Sequence, residues 1–534
     1  MCRGRKSRSC VMAKAYLVGS GIAALAAAAF LIRDGGFDGG DIHLFEEQPD
    51  IGGSLNPGGT AGIGHTVPGG RMIDAGAYCA FDLFGGIPSL DDPSVSVTQE
   101  ILAEHENFTW DDVTRLVDGE GRVVDPHATG FSERDRLELL RCLAVPEGRL
   151  DGKRITDCFG THFFTTNFWL MWCTTFAFRP EHSAVEFRRH LKRFIHLLPE
   201  FATMSGIHRT RYHQYDSLVL PLAAWLRERG AVFHTGCRVT DVELAPGREE
   251  IRVRTLRLSR NGQQEKITVA PEDLVLVTNG SVTDAASFGS HTAPPPTPTH
   301  RTDAWLLWHR MARGRADLGY PSVFDKNVKE SLWESFTVTA KDPVLLEALE
   351  EFSGREAGRG GLMTLTGSNW LLTLVADRQP VHRDQPEGVS VWWGYALFPE
   401  RAGNRTPKPM TECSGREILE EVLHHLPLGE AVAARVLETS TAVPCLLPYF
   451  TSPFLRRTRD DRPEVVPGRS VNLAFVGQFA ETPDETAFTV EYSVRTAWTA
   501  VSRLLHLDRQ PPPVHKGHHD RHVLAAAVET LRHG

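Results

Sequence analysis

The chain has 534 residues, of which 41% are hydrophobic, and a formal net charge of -9 at pH 7. This length corresponds to roughly two to four domains with substantial apolar cores. Because the negative balance provides no basic field for a polyanion, the sequence argues against nucleic acid as a partner.

Nine cysteines are scattered along the chain without a C-x-x-C pair or the spacing of zinc ligands. Such a set indicates reduced thiols and a cytoplasmic protein. The basic start, MCRGRKSRSCVMAK, precedes a predicted strand and a glycine turn, so we predict no signal peptide. The longest apolar stretch, at 22–32, has 11 residues, against the ~20 that span a bilayer. Peripheral contact with a membrane surface stays compatible with the sequence.

The segment AYLVGSGIAALAAAAFLI predicts a buried strand at 15–18, a glycine turn and an alanine-rich helix. Gly19, Gly21 and Ala24 match the G-x-G-x-x-G/A pattern, in which small residues let the backbone and the helix N-terminus approach a pyrophosphate. The match predicts a dinucleotide-binding turn, and the next two segments of the chain strengthen the prediction.

A second predicted strand, DIHLFEE, ends in an acid at Glu46, 25 residues after Gly21. This is near the ~20-residue offset of the acid that binds the ribose hydroxyls and disfavours a 2′-phosphate. Glu47 is the alternative, but the apolar-apolar-Glu pattern of LFE favours Glu46.

A second glycine turn, IGGS, contains Gly52, Gly53 and Ser54. It resembles the Gly-Gly pair that lets the chain of flavoprotein oxidases run beside the flavin phosphate and ribityl chain. This resemblance favours FAD over NAD, with a plain glycine-rich loop as the alternative.

Three later segments are predicted to complete the same sheet. They are GAVFHTGCRVTDVEL, with Val239 facing the adenine; DLVLVTNGS, ending in Asn279, Gly280 and Ser281; and VNLAFVGQF, with Gly477 and Phe479 beside the flavin.

The predicted fold class is α/β: a discontinuous, Rossmann-like FAD-binding domain of the flavoprotein oxidase type, with an α+β substrate or cap domain and a helical portion. We assign 13–64, 205–291 and 440–508 to the first, and 65–204 and 300–439 to the others. The remainder, 509–534, is predicted as a linker and a short helix. Its His515, His518, His519 and His522 could bind metal, but a solvated linker is favoured, and we predict no metal site.

Several blocks resemble the FAD-dependent oleate hydratases, once called myosin-cross-reactive antigens, and cover nearly the whole chain in order. They are PGGRMIDAGAYCAFDLFGGIPSL, FFTTNFWLMWCTTFAFRPEHSAVEFRRHLKRFIH, RYHQYDSLVLPL, LVTNGSVTD, GSNWLLTLVADRQP, LLPYFTSPF and NLAFVGQFAETPDETAFTVEYSVR. The resemblance implies hydration of a double bond in an unsaturated fatty acid to a secondary alcohol. It also implies a required FAD, most active when reduced, without net redox change.

Protonation of an alkene needs an acid placed against the π-bond in a water-poor pocket. A tyrosine is protonated at working pH and can serve. The tyrosine of the family's NQYES element maps onto Tyr215 within HQYDS, which makes Tyr215 the expected proton donor. Asp216 and Ser217 are expected to begin the following helix, and Tyr212 and His213 to be pocket or structural residues.

The chain departs from the family where a glutamate usually follows the arginine of a GGREME element. Here the element is GGRMID, with Gly70 and Arg71 kept on the cofactor side and Met72 in place of the glutamate. Met72 cannot act as a base. Either Asp74 substitutes for it or backbone groups polarise the water.

A second departure concerns the fatty-acid carboxylate, which the family holds with the Thr, Asn and His of TVNRQPH. The segment VADRQPV places Val375, Asp377 and Val381 at those positions, and an ionised Asp377 would repel a carboxylate. The head group is therefore held elsewhere or the substrate differs. The remaining expected substrate-binding residues are Arg378 and Thr451.

An FAD-dependent oxidase or desaturase, a double-bond isomerase and a non-catalytic lipid- or flavin-binding protein are the alternatives. Monomer and homodimer are both compatible with the sequence. The aromatic residues of the helical portion either line an apolar tunnel or form core; they are Phe168, Trp169, Trp172 and Phe176.

Overall fold

The computed structural model describes residues 13–60, 62–108, 110–247, 249–298, 302–359 and 361–533. The basic N-terminal segment with Cys2 and Cys10, and the domain boundary predicted at 300, lie outside these residues. The seven cysteines inside them are unpaired.

The strands within the described residues are β1 (Ala15–Val18), β2 (Ile42–Phe45), β3 (Gly59–Thr60), β4 (Gly64–His65), β5 (Ile73–Asp74), β6 (Leu116–Val117), β7 (Val123–Val124), β8 (Ile207–His208), β9 (Val232–His234), β10 (Cys237–Leu244), β11 (Val253–Arg260), β12 (Gln263–Thr268), β13 (Leu274–Thr278), β14 (Ser287–Phe288), β15 (Trp333–Ala340), β16 (Met363–Leu365), β17 (Leu372–Val375), β18 (Ser390–Ala396), β19 (Ser440–Leu447) and β20 (Leu473–Val476).

The helices are α1 (Ile22–Arg33), α2 (Tyr78–Phe84), α3 (Val97–Asn107), α4 (Glu133–Ala144), α5 (Asn167–Phe176), α6 (Ala184–Phe194), α7 (Leu220–Glu228), α8 (Asp303–Ala312), α9 (Ser322–Asp325), α10 (Val328–Ser331), α11 (Val344–Ser353), α12 (Gly415–His424), α13 (Glu430–Thr439), α14 (Val490–Leu504) and α15 (Arg521–His533).

A five-stranded parallel sheet has the order β20-β13-β1-β2-β9. The central strands β1, β13 and β20 are apolar runs, as parallel strands covered on both faces must be. Helix α1 packs along α14, and its alanines are buried because their small side chains allow close helix packing. Strands from three distant segments therefore build one sheet, as the sequence predicted.

All five strands of this sheet fall inside the three ranges assigned to the dinucleotide domain. Two of these ranges also contain strands of a different sheet, because β14 pairs with β19, and β19 pairs with β15 along its whole length. The domain boundaries stay predictions.

That second sheet has eight strands in the order β14-β19-β15-β18-β17-β16-β6-β7. Side chains alternate across it, so Trp333, Trp393 and Tyr395 pack on one face, and Phe336 and Trp392 on the other. The first face is turned toward the helical portion and forms part of the site described below.

The aromatic side chains of α5 belong to the core. Phe168, Trp169 and Trp172 are buried, and Phe176 packs against the same cluster. The Trp172 ring contacts Phe168, Phe176 and Phe201, and the Trp169 ring contacts Phe163, Phe164 and Phe187. Of the two interpretations left open by the sequence, the core position is the one that the structure shows.

In the part of the chain that the structure describes, no helix combines the length and the apolar character needed to cross a bilayer. No three His, Cys, Asp or Glu side chains in the same part form a group that could hold a metal ion. His515, from the C-terminal segment, instead contacts the Tyr78 hydroxyl at 2.9 Å and the ring of His196.

Glu334 on β15 is fully buried, and neither carboxyl oxygen has a hydrogen-bond partner among the described residues. Burial raises the pKa of Glu334 well above its usual value. The folded protein therefore keeps this carboxyl protonated at pH values where the unfolded chain ionises it.

We expect the unfolding free energy of the wild type to fall, relative to that of Glu334→Gln, as pH rises above the ordinary glutamate pKa. The slope is at most about 1.4 kcal/mol per pH unit. Urea unfolding of both proteins at pH 5 and pH 8 measures it. An equal stability difference at the two pH values would contradict the prediction.

Candidate active site

A cleft opens at the carboxyl ends of β1, β2, β13 and β20, where parallel sheets of this kind bind ligands. Gly19 follows β1 with φ +99°, a conformation that side chains rarely adopt. Helix α1 begins immediately behind this turn, so its N-terminus faces the cleft.

The two glycine turns touch each other. Gly21 and Gly52 form a backbone bridge, and the Gly52 N–H donates to the Ser20 carbonyl at 3.1 Å. A Cβ on Gly53 would stand 3.0 Å from the Gly21 Cα. The second turn therefore requires glycine because the first one lies directly against it.

Glu46 stands at the end of β2 with its carboxylate held in place. Its Oε2 accepts from the Ser20 hydroxyl at 2.6 Å and the Ser20 N–H at 3.1 Å. Its Oε1 accepts from the Gln48 N–H at 2.9 Å. The acid predicted to bind ribose hydroxyls thus lies in the cleft, beside the first glycine turn.

Most of the predicted cofactor residues line this cleft. They are Gly19, Gly21, Glu46, Gly53, Ser54, Arg71, Val239, Asn279, Gly280, Ser281, Gly477 and Phe479. Ala24 is buried in α1 and does not line it, Gly52 lies behind the turn against Tyr215, and Gly70 lines a different cavity.

The cleft contains polar atoms that call for a ligand. The side-chain amide of Asn279 is buried, and neither its oxygen nor its nitrogen has a partner among the described residues. The Thr278 hydroxyl beside it is also unpartnered. Unsatisfied buried groups are costly, so the donors and acceptors present here fit a dinucleotide such as FAD.

A second cavity is lined mainly by apolar and aromatic surface. Its walls come from the eight-stranded sheet, through Trp333, Trp393 and Tyr395, and from the loops at 67–72 and 209–214. This lining suits an apolar ligand.

Arg71 lines both cavities. Its guanidinium lies over the rings of Phe450 and Phe488, with its central carbon 5.0 and 4.2 Å from their centroids. Burial lowers the pKa of Arg71 to about 10, and its side chain pairs with no carboxylate among the described residues. An unpaired cation therefore stands in the wall that the two cavities share.

The side chain of Gln214 holds this wall together. Its amide oxygen accepts from the Arg71 backbone N–H at 3.1 Å, and its amide N–H donates to the Arg71 carbonyl. Met72 and His213, the neighbours of these two residues, both line the apolar cavity.

Four of the five predicted substrate residues line the apolar cavity, namely Val375, Asp377, Arg378 and Val381. Thr451 does not. It is buried at the start of a short 3₁₀ turn, and its hydroxyl lies 3.5 Å from His182 Nε2. Its place is in the core behind the sheet.

The predicted donor, Tyr215, does not line the apolar cavity, whereas Tyr212 does. Tyr215 opens a π-helical turn, Tyr215–Val219, that leads into α7, and its ring edge packs on Gly52. Burial and the charges of Asp50 and Asp216 raise the pKa of Tyr215. The other cavity tyrosine, Tyr395, already donates its hydroxyl to the Thr174 carbonyl at 2.6 Å.

Asp216 and Ser217, expected to begin the helix, do not cap α7 and bond other residues instead. Asp216 accepts from the Arg383 N–H at 2.9 Å, and the Ser217 hydroxyl accepts from the Tyr212 N–H at 3.1 Å. These bonds hold the loop before α7 in place beside the cavity.

Asp74 lies outside both cavities. Its carboxylate accepts two bonds of 2.9 Å from Arg193 and lies 3.2 Å from His196 Nε2. Burial alone would raise the pKa of Asp74, but His196 and Arg193 hold it below its usual range. These contacts favour a structural role for Asp74 over the expected activation of water, which stays a prediction.

His213 presents an imidazole to the apolar cavity. Its Nδ1 accepts from the Tyr215 N–H at 3.3 Å, and its own backbone N–H donates to the Val381 carbonyl at 2.7 Å. Burial, assisted by Arg71, lowers the pKa of His213 to about 4. The neutral ring then carries its proton on Nε2.

Sequence reasoning missed several lining residues, including Arg211, Gln214, Phe450 and Phe488. For Arg211 and Gln214 the signal was their position beside Tyr212 and His213. Phe450 and Phe488 carry no local signal, because a phenylalanine in a core and one in a ligand cavity have the same sequence environment.

The chain is similar to known proteins along most of its length. A family model described as the MCRA family matches residues 12–502. The chain is 36% identical over 517 residues to the oleate hydratase of Streptococcus pyogenes serotype M49 (strain NZ131), covering 95% of this chain and 88% of that protein. It is 31% identical over 530 residues to the linoleate hydratase of Lactiplantibacillus plantarum, covering 91% and 92%. These matches confirm the resemblance inferred from the sequence blocks.

Among solved structures, the fold is similar to cyclohexylamine oxidase from Brevibacterium oxydans IH-35A, with a TM-score of 0.55 and 13% identity over 92% of this chain and 99% of that one. It is also similar to an oxidoreductase from Methanosarcina mazei, with a TM-score of 0.52 and 13% identity over 91% and 98%. At this identity the likeness concerns the fold alone, and it confirms the predicted oxidase-like architecture.

If Asp74 is structural, the substitution Asp74→Asn should lower the free energy of unfolding by on the order of 3 kcal/mol, because it leaves the buried Arg193 with fewer anionic partners. The turnover of each folded molecule should fall less than about tenfold, since no reacting atom is touched. The difference in unfolding free energy between the wild type and this variant should shrink as pH falls toward the lowered pKa of Asp74. Protonation of Asp74 then removes from the wild type the same charge that the substitution removes.

Urea unfolding and initial rates per folded protein measure both effects. A variant of wild-type stability with a turnover reduced by orders of magnitude would restore Asp74 as the base.

Proposed function

The chain belongs to the MCRA family, and we propose that it is a fatty acid hydratase, a hydro-lyase that adds water to a carbon–carbon double bond of an unsaturated fatty acid. The observation that carries the proposal is Arg71, whose side chain lines both the dinucleotide cleft and the apolar cavity. A long alkene in one cavity would therefore lie next to a cofactor in the other, with Arg71 in the wall between them. The hydratases of Streptococcus pyogenes and Lactiplantibacillus plantarum support the same reaction class.

We assign FAD to the dinucleotide cleft. The glycine turns at 19–21 and 52–53 leave room for the phosphates, Glu46 binds the ribose hydroxyls, and Asn279 supplies the unsatisfied amide. When bound, reduced FAD supplies an electron-rich ring beside the positive charge that develops on the alkene. The unpaired Arg71 favours the reduced flavin because that form carries negative charge.

The chain's own residues carry the protons. A phenol transfers its proton to one alkene carbon, leaving a phenolate and a carbocation. Water adds to the cation, and the proton that it then loses returns to the phenolate. Atoms and charges balance without a carboxylate base, so Met72 does not interrupt the cycle.

The geometry favours Tyr212 over Tyr215 as the donor. Tyr212 lines the cavity, and no described residue forms a hydrogen bond with its hydroxyl. Tyr395 also lines the cavity, but its hydroxyl is already engaged. Tyr215, the residue that the family resemblance selects, packs its ring edge on Gly52 and does not line the cavity.

His213 is suited to hold the attacking water. Its neutral ring presents an Nε2–H donor to the cavity, and the Gln214–Arg71 bonds place it near Met72. A polar donor thus stands close to the position from which the family glutamate is missing. The cytoplasmic location, membrane contact and oligomeric state remain predictions from the sequence.

Hydration predicts a mass gain of one water from a panel of unsaturated fatty acids, measured by mass spectrometry with reduced, FAD-loaded protein. In H₂¹⁸O the product should carry one ¹⁸O, and in D₂O one carbon-bound deuterium. Hydrogen peroxide formed in proportion to product would instead identify an oxidase, and isotope exchange without ¹⁸O would identify an isomerase.

The donor assignment predicts that Tyr212→Phe lowers kcat by about 10²- to 10⁴-fold, the usual contribution of a general acid. Tyr215→Phe, the matched control, should change kcat less than about tenfold because its hydroxyl does not line the cavity. Both variants should bind FAD, as its visible absorbance reports. The reverse ranking would return the role to Tyr215.

A further inference from the structure

Arg211 places an unpaired guanidinium in the apolar cavity. Its Nη1 atom is buried and makes no hydrogen bond, and its side chain forms no ion pair within the described residues. Its guanidinium carbon lies 4.7 Å from the centroid of the Tyr212 ring. A guanidinium that is partly removed from water without a counter-ion carries a desolvation cost, so this position suits an anionic ligand.

Two contacts place Arg211 beside the segment that has lost the family's carboxylate ligands. On one side Arg209 pairs with Asp377, and on the other the His213 backbone N–H donates to the Val381 carbonyl at 2.7 Å. Residues 209–213 therefore run alongside 377–381, with Arg211 between the two contacts. The same neighbourhood offers a different anion-binding group.

Apart from Arg71, the other charged pairs of the cavity are already balanced. Asp377 accepts from Arg209 and from the Trp393 Nε1–H at 3.1 Å, and Arg378 pairs with Glu104. The repulsion expected from an ionised Asp377 is thereby cancelled. Arg71 is unpaired too, but it stands in the wall shared with the dinucleotide cleft, where the reacting double bond must lie.

We propose that Arg211 binds the carboxylate of the fatty acid and replaces the three polar ligands that this chain lacks. The subsite rests on the proposed function and specifies which part of the cavity takes the head group. Two guanidinium N–H groups can face one carboxylate, a geometry that gives strong, oriented hydrogen bonds. The apolar side chains of Val375 and Val381 flank the head group without competing for it.

The test compares oleate with oleyl alcohol, which has the same chain and double bond but no charge. For Arg211→Met, kcat/KM for oleate should fall about 30- to 1,000-fold, chiefly through KM. For oleyl alcohol it should change less than about threefold. Arg211→Lys should recover part of the loss, and Arg211→Glu should prefer oleylamine to oleate.

Arg383→Met is the matched control. This substitution removes the same charge from the neighbourhood of Tyr212, because the guanidinium carbon of Arg383 lies 5.9 Å from the centroid of the Tyr212 ring. Unlike Arg211, Arg383 pairs with Asp91 and does not line the cavity. For Arg383→Met, the ratio of kcat/KM for oleate to kcat/KM for oleyl alcohol should equal that of the wild type. An unchanged ratio in Arg211→Met, or an equal change in Arg383→Met, would overturn the proposal.

Binding of dodecanoate and dodecanol, measured by titration calorimetry, separates this subsite from the reaction. These saturated ligands need no turnover. If dodecanoate binds tighter and Arg211→Met abolishes the preference, the subsite stands even when no alkene is hydrated. If the two bind equally to the wild type, the subsite is wrong even when hydration is observed.

Discussion

The pair of hydrogen bonds between the Gln214 side chain and the Arg71 backbone is the interaction on which the site depends. One side-chain amide satisfies both the N–H and the carbonyl of Arg71, so it acts as a strand would and joins the loop before β5 to the loop before α7. Because this joint uses only the backbone atoms of Arg71, the guanidinium is left to line both cavities.

Buried charges hold the elements around this joint. Arg193 of α6 bonds Asp74 of β5 and lies 3.1 Å from Glu485, while Arg495 of α14 pairs with Glu491. A second group joins Glu186 of α6 to Arg457 and Arg462. Such networks are demanding in geometry more than they are stabilising, and they account for the position of Asp74, whose carboxylate bonds Arg193.

The cavity combines an apolar lining with a small number of unpaired polar groups. Arg71 and Arg211 lack anionic partners within the described residues, and His213, two residues after Arg211, offers a neutral donor. Low local polarity strengthens each of these groups toward a ligand.

The sequence by itself determined the parallel sheet, the glycine turns and Glu46, because these depend on local backbone conformation and on apolar runs that short segments contain. It also determined the family, through long blocks of matching residues. Only the tertiary structure decided that Tyr212 and not Tyr215 lines the cavity, that Asp74 is bound by Arg193, that Thr451 is core and that β19 joins the second sheet. Each of these depends on which distant side chain or strand supplies the partner, and pairing between distant segments leaves no trace in the residues on either side.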